Sequence, residues 1–97
     1  MEMPNTLRVG PITFDVVECT YPIVHEGVEM WGQTVSSEAL INIKASLDPQ
    51  QQLATLMHEL LHIISNQTAS EVDEATVERV SNLLLDTIQR NDLDFRT

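Results

Sequence analysis

Within Thr55-Leu56-Met57-His58-Glu59-Leu60-Leu61-His62-Ile63-Ile64, two histidines stand four residues apart, and a glutamate directly follows the first. Imidazoles and carboxylates are side chains from which zinc sites are built. On a helix this spacing puts both imidazoles on one face, one turn apart, where both can reach a single metal ion. Glu59 then lies roughly 100° round the helix from His58. That puts it beside the ion rather than on it, where a carboxylate can take a proton from a metal-bound water. Three things must hold for this chemistry: a helix at this stretch, a third ligand, and a histidine stripe kept clear of the core.

The helix has a legible start. Asp48 suits an N-cap, Pro49 suits the first turn, and Gln51 stands where a capping box needs a side-chain acceptor. The predicted helix runs to about Ser65. Leu53, Leu56, Met57, Leu60, Ile63 and Ile64 form a broad apolar arc, and Gln51, Ala54, Thr55, His58, His62 and Ser65 occupy the remaining stripe. A lone histidine is ordinarily a surface residue or a satisfied core residue. A pair on the one stripe of small and polar residues, with Glu59 in place, favours ligands.

For the third ligand, zinc normally requires a further protein group. Asn66-Gln67-Thr68-Ala69 reads as a connector, and Ser70 as the cap of a second helix with Asp73 completing a capping box. That helix is expected to carry Val72, Val77, Val80, Leu83, Leu84 and Ile88 on its core side and to end near Asn91. So short a connector makes an antiparallel hairpin, which sets the level of His58 and His62 opposite roughly residues 73 to 78. Asp73 is explained by capping. Glu74, at the edge of the apolar arc, is assigned as the third ligand, and Glu78, one turn on, as an acceptor for an imidazole N–H. The plain alternative is that both are solvated surface carboxylates.

The first half reads as strands. Leu7 to Val17 forms two extended segments around Gly10-Pro11, with Ile12, Phe14 and Val16 on one face. Glu18 to Gly27 reads as a loop ending in a turn. Val28 to Val35 is a second strand, in which Gly32 marks a bulge or a close backbone approach. Ser36-Ser37-Glu38 is a turn, and Ala39 to Ala45 a third strand. The expected fold class is α+β: a small antiparallel or mixed meander of about three strands packed on a C-terminal antiparallel helix pair. At 97 residues the chain is expected to form one domain, 1–97, with Leu93 and Phe95 folding back on the core.

Composition narrows the partners. Five basic against 15 acidic residues give a net charge of −10, a surface that repels nucleic acid and anionic membrane. It suits a basic protein partner or simple solubility. The single cysteine, Cys19, excludes an internal disulfide and a cysteine-rich zinc site. No apolar run approaches the roughly 18 residues needed to span a membrane, and the N-terminus has no signal-like stretch. A cytoplasmic setting is expected.

His58-Glu59-Leu60-Leu61-His62 followed by Asp73-Glu74-Ala75-Thr76-Val77-Glu78 is similar to the gluzincin arrangement. There a second helix supplies a glutamate ligand, with an acidic residue four positions later in thermolysin-like members. The chain also resembles the small HExxH proteins of phages and prophages, relatives or look-alikes of the ImmA/IrrE metallopeptidases. It shares with them an N-terminal meander, the Trp31-Gly32 step, the stretch Glu74 to Val80 and the Arg90-Asn91-Asp92 ending. The resemblance implies a minimal zincin-like peptidase domain, with His58, His62 and Glu74 as zinc ligands and Glu59 as general base. The spacing from His62 to Glu74 is shorter than in larger gluzincins, which leaves Glu74 and Glu78 both open as third ligand. No residue matches the extra histidine or tyrosine that steadies the oxyanion in thermolysin-like enzymes.

The expectation is a zinc-dependent metallopeptidase in which Glu59 activates water for attack on a peptide bond. An extended peptide or protein substrate, a basic regulator among the candidates, would add to a sheet edge around Trp31 to Val35. Tyr21, His25 or Trp31 could supply an oxyanion donor or an aromatic wall. The main rival is a non-catalytic zinc-binding interaction module with an acidic partner-binding face. A third reading is an acidic nucleic-acid mimic in which the histidine pair is accidental.

Overall fold

Short extended segments alternate with tight turns through the first half of the chain. The computed structural model describes residues 3–92. Strands β1 (Thr6–Val9) and β2 (Ile12–Cys19) pair antiparallel across Gly10-Pro11, where Gly10 takes a left-handed φ of 59°. Strands β3 (Ile23–His25) and β4 (Val28–Met30) form a separate hairpin. It closes through Glu26 and Gly27, at φ 51° and 79°, the pair of positive φ angles of a type I′ turn. Strands β5 (Gly32–Val35) and β6 (Leu40–Lys44) pair antiparallel around the 3₁₀ turn Ser36–Glu38.

The α+β class holds: a mixed sheet precedes two helices. Its details differ from the expected meander in three ways. The segment expected as a loop from Glu18 to Gly27 contains the end of β2 and all of β3. The single strand expected over 28–35 divides at Trp31, and its two parts join different sheets. Finally, β2 pairs parallel with β6, giving the order β1-β2-β6-β5. A parallel pair needs a long crossover, and the β3–β4 hairpin together with β5 supplies it.

Helix α1 (Pro49–Gln67) packs on this sheet. Phe14, Ile41, Ile43, Leu56 and Ile63 form the core between the two layers, with Ile41 and Ile43 fully buried two residues apart on β6. Two glutamines pin the helix lengthwise. Near its start Gln52 Nε2 donates to Glu18 Oε1 at 2.7 Å, and at its end Gln67 Nε2 donates to the Val9 carbonyl at 2.8 Å. The expected capping box is present: Asp48 accepts from Gln51 N–H at 2.8 Å while the Gln51 side chain accepts from Asp48 N–H.

The expected connector at Asn66 and Gln67 is instead helical, and α1 ends in a Schellman arrangement. Ser70 N–H reaches the Ser65 carbonyl at 3.0 Å and Ala69 N–H the Asn66 carbonyl at 3.3 Å, with Ala69 at φ 52°. An alanine therefore occupies the left-handed position that helix ends usually give to glycine.

Helix α2 (Glu74–Arg90) starts later than expected, because Asp73 and not Ser70 caps it, accepting from Thr76 N–H at 2.7 Å. Its phase differs as well. Val77, Ser81, Leu85 and Ile88 are the buried stripe, whereas Val72, Val80, Leu83 and Leu84 are exposed. Leu85 and Ile88 meet Leu53 and Met57 of α1 in a second core cluster. Among the described residues no helix is long and apolar enough to cross a membrane. Leu93 and Phe95 lie outside the described residues.

Two substitutions probe this frame by chemical denaturation. A Cβ on Gly32 would lie 2.6 Å from Thr55 Cγ2 and 3.1 Å from the Asn42 carbonyl. Gly32→Ala is therefore expected to cost about 1–3 kcal/mol, partly recovered by a second change, Thr55→Ser. Ala69→Gly relieves the left-handed strain and is expected to add about 1 kcal/mol.

Candidate metal centre

One helical turn separates His58 from His62, and α1 aims both imidazoles into the gap beside α2. Their Nε2 atoms are 3.1 Å apart, and the rings meet edge to face with centroids 4.8 Å apart. Glu74 comes from the first turn of α2. Its position follows from the same spacing that buries Val77, Ser81, Leu85 and Ile88: steps of three and four place Glu74 at the N-terminal end of that stripe. The stripe faces α1, so Glu74 faces the histidines.

The geometry is tight. Glu74 Oε1 lies 2.6 Å from His58 Nε2 and 3.2 Å from His62 Nε2. These three residues form a cluster whose ligating atoms all lie within 4.8 Å of one another. Tetrahedral zinc, with nitrogen and oxygen ligands at about 2.0–2.1 Å, separates neighbouring ligand atoms by about 3.3 Å. The two imidazole nitrogens and the His62–Glu74 edge already approach that spacing. The His58–Glu74 edge, at 2.6 Å, would open by about 0.7 Å. Two neutral imidazoles and one carboxylate could thus hold a zinc ion with a fourth position left for solvent.

Electrostatics follow from these contacts. Partial burial raises the Glu74 carboxyl, but hydrogen bonds to His62 and His58 and their positive charge outweigh it, holding it below the ordinary glutamate range. The Asp73 carboxyl is also lowered, by its bonds to the Thr76 backbone and side chain, which keeps the cap ionised next to Glu74.

Glu59 lies outside the ligand cluster and is 9% exposed, its carboxylate turned towards the sheet. There Thr34 Oγ1 donates to Glu59 Oε1 at 2.9 Å. Thr34 was not singled out from the sequence. The one hint was its place two residues after Gly32, which puts both on the face of β5 that meets α1. Of the two readings of Gly32, a bulge or a close backbone approach, the structure shows the approach, since its missing side chain lets β5 lie against Thr55.

A cleft of about 270 Å³ adjoins the cluster, lined on one side by Met30, Trp31 and Gly32 and on the other by Glu78, Ser81 and Asn82. His58, Glu59 and Glu74 also border it. Glu78 therefore sits at the site, yet among the described residues its carboxylate makes no hydrogen bond to either imidazole. Of the three aromatic-type candidates, Trp31 lines the cleft. Tyr21 is exposed beside Cys19 and Lys44, and His25 stands at the hairpin tip, 3.9 Å from Glu26. Comparison of the chain with protein-family models, curated proteins and solved structures finds no match.

Two measurements check the centre. Calorimetric titration is expected to give one zinc per chain. Glu74→Ala should weaken binding by more than about a hundredfold, a larger loss than removing a group behind the ligands, and Glu78→Ala should leave it unchanged. In the metal-free protein, carbon-detected NMR should place the Glu74 midpoint below the ordinary glutamate range. Its stabilising contribution is then full above that range and fades as pH falls through the lowered midpoint. His58→Ala or His62→Ala should move that midpoint upward.

Proposed function

We propose that the protein is a zinc-dependent metallopeptidase of gluzincin-like type, related to the small phage and prophage HExxH proteins. It would act in the cytoplasm, that of the host if phage-encoded. The observation that carries this reading is the division of labour among three carboxylates. Glu74 converges with His58 and His62, Glu59 stays outside that group, and Glu78 stands free on the cleft wall.

When bound, zinc supplies a Lewis acid for the substrate carbonyl and an activated water. Glu59 accepts the proton released as water attacks and passes it to the leaving amine, which requires a carboxylate held at a fixed place. Thr34 donates to one Glu59 oxygen and leaves the other free for that exchange. Among the described residues strand β5 is the last strand of its sheet, and no partner strand covers its outer edge. An extended peptide adding to that edge would run past Glu59 and the histidines, which are carried on the helix packed against β5. The net charge of −10 favours a basic protein as substrate.

A second reading, a zinc-binding interaction module without catalysis, draws support from the exposed Val80, Leu83 and Leu84 on α2. Glu59→Gln separates the two. The peptidase reading expects this variant to bind zinc as tightly as the native chain and to lose hydrolysis of a peptide library by about a thousandfold or more. Zinc bound by both proteins with no hydrolysis by either leaves the module.

A further inference from the structure

We propose that the cleft beside the metal cluster is a subsite for a long cationic side chain, lysine or arginine, of a bound peptide. This inference deepens the peptidase reading and rests on it for the word substrate, but the selectivity itself is a property of the cleft. The volume of about 270 Å³ lies just under the roughly 300–1,000 Å³ of sites that enclose a whole small molecule. One extended side chain is a better match. Gly32, Ala54 and Ser81 keep the space open, because none of them projects more than two heavy atoms into it.

The walls are chemically unequal. Met30 and Trp31 offer a polarizable thioether and an indole, surfaces on which the methylene stem of lysine or arginine packs. Trp31 is half exposed, and an indole at the cleft is a side chain that attracts a cation. Opposite stand Glu78 and Asn82, both from α2. Among the described residues no lysine or arginine lines the cleft.

Charge decides the preference. Glu59 and Glu74 together offset the two charges of a bound zinc ion. Glu78 is the remaining carboxylate, and it leaves the loaded cleft net negative. An acidic side chain would be repelled there, and a leucine would leave the carboxylate and Asn82 without a partner. A lysine or arginine satisfies both walls at once, stem on Met30 and Trp31, head at Glu78.

The chain has a single tryptophan, so its fluorescence reports directly on the cleft. The test follows stopped-flow fluorescence, before any hydrolysis, of zinc-loaded native protein mixed with end-capped peptides that differ only in one central residue: lysine, arginine, leucine or glutamate. Lysine and arginine peptides should quench Trp31 and bind about tenfold more tightly than the leucine peptide, the gain expected of one cation–π contact with one partly exposed ion pair. Glu78→Gln should cut that preference to about threefold or less, the share of the cation–π contact alone, and Glu78→Lys should transfer it to the glutamate peptide, with zinc stoichiometry unchanged in both. Equal binding of lysine and leucine peptides, a preference undiminished in Glu78→Gln, or no binding by any peptide would overturn the proposal. Cleavage by zinc-loaded native protein is read separately. Cleavage without basic preference sinks the subsite and leaves the peptidase, whereas basic-selective binding without cleavage sinks the peptidase and leaves the subsite.

Discussion

Two imidazoles on successive turns of one helix, facing a carboxylate from the next helix, form the constraint on which the rest of this structure depends. Each of those groups is hydrophilic enough to prefer water, and three of them within a few ångströms must be held there by apolar packing elsewhere. Leu53 and Met57 against Leu85 and Ile88 provide it at the far end of the hairpin. Near the turn, the capped start of α2 fixes which residue opens the helix, and hence that Glu74 rather than Glu78 completes the cluster. Turning α2 about its axis by one residue would swing the carboxylate by roughly 100° and dismantle the group.

The sheet's role is to hold α1 in place and to bring one edge strand close to it. Gln52 and Gln67 anchor the helix at both ends, and the bare backbone of Gly32 allows β5 to touch Thr55. The result is a narrow space in which Glu59 is covered by β5 and oriented by Thr34, while the histidines look the other way towards α2. One helix thus presents the imidazole pair on one flank and the Glu59 carboxylate on the next, which is what the adjacent placing of His58 and Glu59 requires of a 3.6-residue turn.

Much of this was legible in the sequence, and the gaps have physical causes. The start of α1 could be read because Asp48, Pro49 and Gln51 signal locally, and the histidine spacing could be read because it is helical geometry. The start of α2 could not be read as surely: Ser70 and Asp73 both suit a cap, and only the Schellman closure through Ala69 decides between them. The apolar pattern offers Val80, Leu83 and Leu84 as a core face they do not take, because the buried stripe Val77, Ser81, Leu85 and Ile88 runs through a serine that gives no apolar signal. The level of Glu74 in the hairpin does not depend on that cap, and the structure brings it beside His58 and His62. The parallel β2–β6 pairing and the Thr34 contact depend on which strands meet, and periodicity carries no information on that.

The central claim is that His58, His62 and Glu74 together grip one zinc ion. Zinc X-ray absorption on stoichiometrically loaded protein tests it most directly, since imidazole leaves a characteristic scattering pattern. The account predicts a shell of about four nitrogen and oxygen atoms at about 2.0–2.1 Å with two imidazoles, one of them lost in His62→Ala. An all-oxygen shell without imidazole scattering, or a spectrum indifferent to that substitution, would contradict it.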